Sequence, residues 1–165
     1  FLIERFVESD PAAVAGRRAF AGMTSTTGAP TNVDPAGLLN VVGVCQKSTD
    51  ATHWYVCYGG STAQTAIALG TALGAPAGNS TTAWELAIFA TPASANTFYV
   101  QLTNLTTGAV SAIQTLTGAS TVVPQSTTLL AWQHWVTNNA TALAVGVDIA
   151  SIYNVGKVSG RECVG

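Results

Sequence analysis

Trp84-Glu85-Leu86-Ala87-Ile88-Phe89 and, after a break at 90–96, Thr97-Phe98-Tyr99-Val100-Gln101-Leu102-Thr103 decide the fold of this chain. In an extended strand successive side chains point to opposite faces, so Trp84, Leu86 and Ile88 share one side while Glu85, Ala87 and Phe89 share the other. Likewise Phe98, Val100 and Leu102 oppose Tyr99, Gln101 and Thr103. Pro92 breaks the ladder between the two runs, which therefore read as a hairpin with one core face. The turn at Asn104-Leu105-Thr106-Thr107-Gly108 feeds the next strand.

Working outward, the same pattern recurs in short runs rich in Val, Ile, Thr, Tyr, Phe and Trp, separated by Gly, Pro, Asn and Asp clusters. Strands are expected at 2–7, 18–24, 38–46, 53–58, 65–69, 84–90, 97–103, 109–115, 127–136 and 143–153. Loops fall at 25–35, 59–63, 70–82 and 137–141. No repeat of fixed period is visible, which disfavours propellers and solenoids. Ten irregularly spaced strands predict an all-β, antiparallel two-sheet β-sandwich of jelly-roll or lectin-like type. In the last strand, Leu143, Val145, Val147 and Ile149 alternate with Ala144, Gly146, Asp148 and Ala150, a small-residue face expected to pack closely against a second sheet or another subunit.

The chain has 165 residues, enough for one domain. Only 8% are Lys, Arg, Asp or Glu, against about 25% in ordinary soluble domains. A disordered chain would be poor in apolar residues, whereas this one is 48% hydrophobic with a net charge of −2. A surface so short of charge predicts faces that lie against other subunits, in an obligate oligomer or lattice. Nucleic acid is not an expected partner, since Arg17-Arg18 is the one basic pair. No apolar stretch is long enough for a membrane helix. A start without Met or a signal pattern suggests a fragment or processed product.

Cys45, Cys57 and Cys163 lack Cys-x-x-Cys spacing, and His53 and His134 form no paired-ligand motif, so no metal site and no cofactor are expected. Cys45 and Cys57 could meet across a hairpin, but small buried hydrophobes are the expected reading. Asp34, near Asn32, suits either a calcium ligand or a turn cap before Pro35. Glu85 and Asp148 are the carboxylates that stand inside apolar strands and hence the one candidate glycosidase pair. Glu85 is better read as a solvent-face residue and Asp148 as a buried or interfacial acid, so the chain is expected not to be an enzyme. Aromatic platforms with polar neighbours hold sugars, which makes His53, Tyr55, Trp132, His134 and Trp135 the candidate glycan-binding residues. The alternation puts Trp54 on the other side from His53 and Tyr55.

Three ordered groups of segments carry a family resemblance. They are Arg17-Arg18-Ala19-Phe20-Ala21-Gly22-Met23 with Ala29-Pro30-Thr31-Asn32-Val33-Asp34-Pro35 and Leu38-Leu39-Asn40-Val41-Val42-Gly43-Val44; Trp84 to Ala90 with Val100 to Gly108; and Thr127 to Ala131 with Val145 to Tyr153. In this order they resemble a module of tail-fibre and other virion structural proteins of tailed bacteriophages. The likeness implies a sandwich at 17–153, preceded by a connecting strand or linker at 1–16 and followed by a tail at 154–165. It also implies a non-enzymatic appendage domain on the virion exterior: a tail fibre, spike or head fibre or decoration. Its partners would be copies of itself, as a homotrimer, other virion proteins and host-surface carbohydrate. Gly59-Gly60-Ser61 and the tail depart from the family pattern, which puts any shared ligand site in doubt. The alternative function is a carbohydrate-binding module of a larger enzyme.

Overall fold

In the computed structural model, residues 1–9, 16–31, 33–76, 81–91, 96–139, 142 and 144–156 are described. They form ten strands: β1 (Leu2–Glu8), β2 (Arg18–Thr24), β3 (Val41–Lys47), β4 (Asp50–Gly59), β5 (Ile67–Ala68), β6 (Ala83–Ala90), β7 (Thr97–Asn104), β8 (Gln114–Thr117), β9 (Ala131–Thr137) and β10 (Val147–Asn154). Two antiparallel five-stranded sheets result, one in the order β10-β1-β6-β7-β8 and the other β5-β4-β3-β2-β9. Their inner faces pack as a β-sandwich, and the chain crosses between them after β1, β5, β8 and β9. Residues 2–8, expected as a connecting strand, stand inside the first sheet between β10 and β6.

The period-two stripes set the core. Trp84, Leu86 and Ile88 of β6 are buried together with Val100 and Leu102 of β7, and the register pairs Leu86 with Leu102. Trp54 of β4 meets Phe6 edge-on at 5.9 Å and Trp84 at 5.6 Å, so three large rings from both sheets fill the centre. Fully burying a side chain of this class is worth roughly 1.5–3 kcal/mol.

The β5-β4-β3-β2-β9 sheet is covered on its outer face as well. Phe20, Val41, Cys45, Cys57 and Trp135 form a second cluster there, beneath Ala36, Leu38 and Ala66. A short 3-10 turn, Pro35–Gly37, holds this cover in place. Asp34 caps it: one carboxylate oxygen accepts from the Ala36 N–H and the other from the Ser48 N–H and hydroxyl. Asn32 lies outside the described residues. Because both faces are dry, β3 is buried at six successive positions and does not alternate. Cys45 and Cys57 lie within this cluster as a disulfide, 5.9 Å apart at Cα, rather than as free hydrophobes. Cys163 lies outside the described residues.

All ten expected strands overlap an observed one, and the differences have local causes. The chain turns at 125–128, with the Thr128 N–H bonded to the Gln125 carbonyl, and β9 starts only at Ala131. The eighth strand shifts from 109–115 to Gln114–Thr117. Ahead of it, Ser111 holds Leu102 of β7 through its backbone N–H and its hydroxyl, and Val110 makes a single bridge to Thr103. In β10 the register against β1 shifts between Arg5 and Phe6, which changes the phase of the alternation there. Asp148, expected to be buried or interfacial, is not buried within the chain: it is exposed, and so is Ala150. Glu85 faces solvent as expected, paired with Arg5 at 2.7 Å.

Candidate functional site

The five residues singled out as a glycan platform go to separate places. His53 and Tyr55 stand on the outer face of β4, the one opposite Trp54, which is buried. Their position is fixed by Asp50 at the start of that strand. Its carboxylate accepts from the Thr52 N–H at 2.8 Å, the Thr52 hydroxyl at 2.6 Å and the Tyr55 hydroxyl at 2.6 Å, and lies 2.9 Å from His53 Nδ1. These donors, Thr52 first and then Tyr55, hold the Asp50 carboxyl far below the usual carboxylate range. The same bond raises the Tyr55 phenol, because the carboxylate holds its proton. The Lys47 ammonium sits over the Tyr55 ring, 3.8 Å from its centre. With its hydroxyl engaged by Asp50 and a ring face covered by Lys47, Tyr55 is a structural member of the β3–β4 hairpin and not an open platform.

Trp135 also points outward but is covered, lying in the second cluster beside Phe20 at a ring separation of 6.3 Å. Trp132 and His134 point inward from β9. The Trp132 indole N–H donates to Glu4 Oε2 at 2.9 Å, and His134 Nδ1 lies 2.5 Å from Glu4 Oε1. Phe6 meets the imidazole edge-on at 4.8 Å. Beyond it, His134 Nε2 is 3.9 Å from Glu8 Oε1, the other Glu8 oxygen accepts from Arg17, and Arg17 donates again to Gln46. Glu4, Glu8, Arg17, Gln46 and the His134 side chain are all buried, so this polar chain runs between the sheets out of reach of a ligand. Burial pulls the Arg17 guanidinium down to about 10, where it remains charged at neutral pH. Among the described residues, no group of three or more His, Cys, Asp or Glu is arranged to hold a metal ion.

The open aromatic surface lies instead on the outer face of the β10-β1-β6-β7-β8 sheet. Phe89 of β6 pairs with Tyr99 of β7, and Ala87 with Gln101, so the outward halves of the two alternating stripes form one surface. Phe1 stacks on Phe89 at 4.8 Å, and Tyr153 of β10 meets Phe1 edge-on at 5.4 Å. Phe89 and Ile113 are 44% and 59% exposed, high values for large apolar side chains. Because Ala87 is small, a shallow recess of about 50 Å³ opens among Phe89, Tyr99, Gln101 and Ile113. Chemically it offers two ring edges, one amide and no charge. Such a surface suits apolar packing against another chain, or the C–H face of a sugar.

The outward set was legible once 84–89 and 97–103 were paired. Trp132, His134 and Trp135 have the composition of a site, but their side chains point into the interior or lie under cover. Comparisons with known protein families, curated proteins and solved structures found no match to this chain.

Proposed function

We propose that this chain is a non-enzymatic structural domain of a bacteriophage virion appendage, a tail fibre, spike or head fibre or decoration, that associates as a homotrimer. The observation that carries the reading is the exposed apolar surface. Large hydrophobics including Phe89, Val110, Ile113, Leu129 and Tyr153 are 44% exposed or more, in a chain that has few charges to begin with. Glu4, Glu8 and Arg17 spend three of those charges in the core, and Arg5 and Glu85 neutralise each other on the surface. Phe1, Phe89 and Tyr153 adjoin one another on the outer face of one sheet, and an exposed apolar patch of this kind marks a surface that meets other proteins. The virion setting is supported by the resemblance read in the sequence of residues 17–153.

The test is immunogold labelling of intact particles with an antibody raised against the purified domain. Label on particle appendages supports the reading. Particles that stay unlabelled while the same antibody detects the free chain in the lysate overturn it.

A second reading, carbohydrate binding, is favoured by the recess at Ala87, where aromatic and amide groups adjoin. Titration with oligosaccharides, compared between the wild type and Gln101→Ala, separates it from packing alone.

A further inference from the structure

The chain entering β3, residues 34–40, runs as a strap along the outside of the β3–β4 hairpin. At one end the Asp34 carboxylate accepts from the N–H and the hydroxyl of Ser48, at 2.9 and 2.8 Å, in the tight connection between β3 and β4. At the other end the Asn40 N–H donates to the Gly60 carbonyl at 2.8 Å, just past the end of β4. The strap therefore spans the hairpin lengthwise, from its turn to its open end. Its turn Pro35–Gly37 touches β2, β3 and β4, and the Leu38 carbonyl lies so near Gly59 that a Cβ there would stand 3.2 Å from it. Asn40, with φ at 48° in the left-handed region, makes the sharp junction between strap and strand.

Cys45 and Cys57 lie beneath this strap. Both are fully buried, and Ala36 and Leu38 of the strap pack on their cluster together with Tyr55 and Ala66. Two bonds inside the strap, from the Gly37 N–H to the Asp34 carbonyl and from the Leu38 N–H to the Pro35 carbonyl, close on the strap itself and would survive its lifting as a unit. The strap stands outside both sheets, and its Gly37 and Leu39 are exposed. Segments of this kind open locally at less cost than the whole domain unfolds.

We propose that residues 34–40 are a latched strap that controls the access of thiols to the Cys45–Cys57 disulfide. With Asp34 on Ser48 the bond is shielded; release of that contact lets the strap lift and a thiolate enter. Thiol–disulfide exchange begins when a thiolate reaches one of the two sulfurs, so a bond under packed side chains is attacked only while its cover is away. The latch is a carboxylate holding two donors of Ser48 besides the Ala36 N–H, and hydrogen bonds to an ionised acceptor are the strong ones. Its strength therefore sets how often the sulfurs are uncovered. The domain keeps its disulfide through contact with reducing surroundings while the latch holds, and loses it when the latch is released. The inference concerns this domain alone and does not depend on the homotrimer or the virion.

The test is the rate at which dithiothreitol reduces the oxidised full chain, read at Cys45 and Cys57 by alkylation and mass spectrometry. One thiolate of the reagent displaces a cysteine sulfur, and its second thiol then closes the reagent's own disulfide and frees the other. The reagent gives up two electrons, which Cys45 and Cys57 take with two protons. Asp34→Ala is expected to speed reduction about tenfold, as the loss of charge-assisted hydrogen bonds implies, and Ser48→Ala to speed it less, since the Ser48 N–H remains. Ile88→Val weakens the core between the sheets, away from the strap, and should leave the rate unchanged. Latch variants that are reduced at the wild-type rate overturn the proposal. So does an Ile88→Val rate that rises as much as theirs, since the route is then global unfolding. A chain whose cysteines at 45 and 57 alkylate before any reductant is added has no bond to guard and overturns it as well.

Discussion

Nδ1 of His134 on β9 lies 2.5 Å from Oε1 of Glu4 on β1, a contact between two buried side chains 130 residues apart that joins the two sheets. Buried ionisable groups are costly unless every partner is present. Here Glu4 is shared by His134 and Trp132, so one carboxylate satisfies two donors from one strand.

Removing that carboxylate should be among the most damaging single changes. Glu4→Ala leaves the imidazole and the indole N–H without it in a dry site, an expected loss of about 3–5 kcal/mol. Urea unfolding of the variant measures it. The double replacement Glu4→Leu with His134→Phe removes both ends of the contact together and should recover much of the loss. If the single variant unfolds at the wild-type midpoint, the contact does not join the sheets.

The Asp50 hairpin should make stability depend on acid. Its carboxyl is held lower in the folded protein than in the unfolded chain, where the usual value is about 3.9. Between the two values the unfolded state binds more protons, so the contribution is present above the unfolded value and fades as pH falls toward the folded one. The stability difference between the wild type and Asp50→Asn should therefore shrink as pH is lowered below about 4. A difference that stays constant over that range would mean that Thr52, Tyr55 and His53 do not stabilise the anion.

The Cys45–Cys57 disulfide closes a loop with a sequence separation of 12. Loops of this length predict about 3 kcal/mol from restriction of the unfolded chain. Unfolding with and without a reductant should differ by about that amount. Because both sulfurs are buried, reduction should require partial unfolding, and alkylation of the native protein should be slow. Rapid labelling of both cysteines without reductant would show that the bond is not formed.

The fold was legible because apolar and polar residues alternate cleanly in 84–89 and 97–103, and the pairing of those runs fixed a face. β1 was not legible in the same way. In Leu2-Ile3-Glu4-Arg5-Phe6-Val7-Glu8 both phases carry apolar residues, so alternation alone cannot say whether the glutamates point in or out. Their inward direction is decided by His134 and Arg17, which reach them only through tertiary packing. The site was obscured by a related effect. Trp132, His134 and Trp135 look like a binding cluster in sequence, but period two sends Trp132 and His134 into the interior and Trp135 under a loop. The register shift opposite Arg5 and Phe6, which returns Ile152 to the side of Ile149, is likewise invisible to strict alternation.

Sedimentation equilibrium of the purified domain, wild type beside Phe89→Lys, is the most direct check on self-association through charge-poor sheet faces. The wild type is expected at three times its chain mass of 16.8 kDa, and the variant, with an ammonium set among Phe1, Tyr99 and Tyr153, at one. A wild type that sediments as a single chain at every concentration would contradict it.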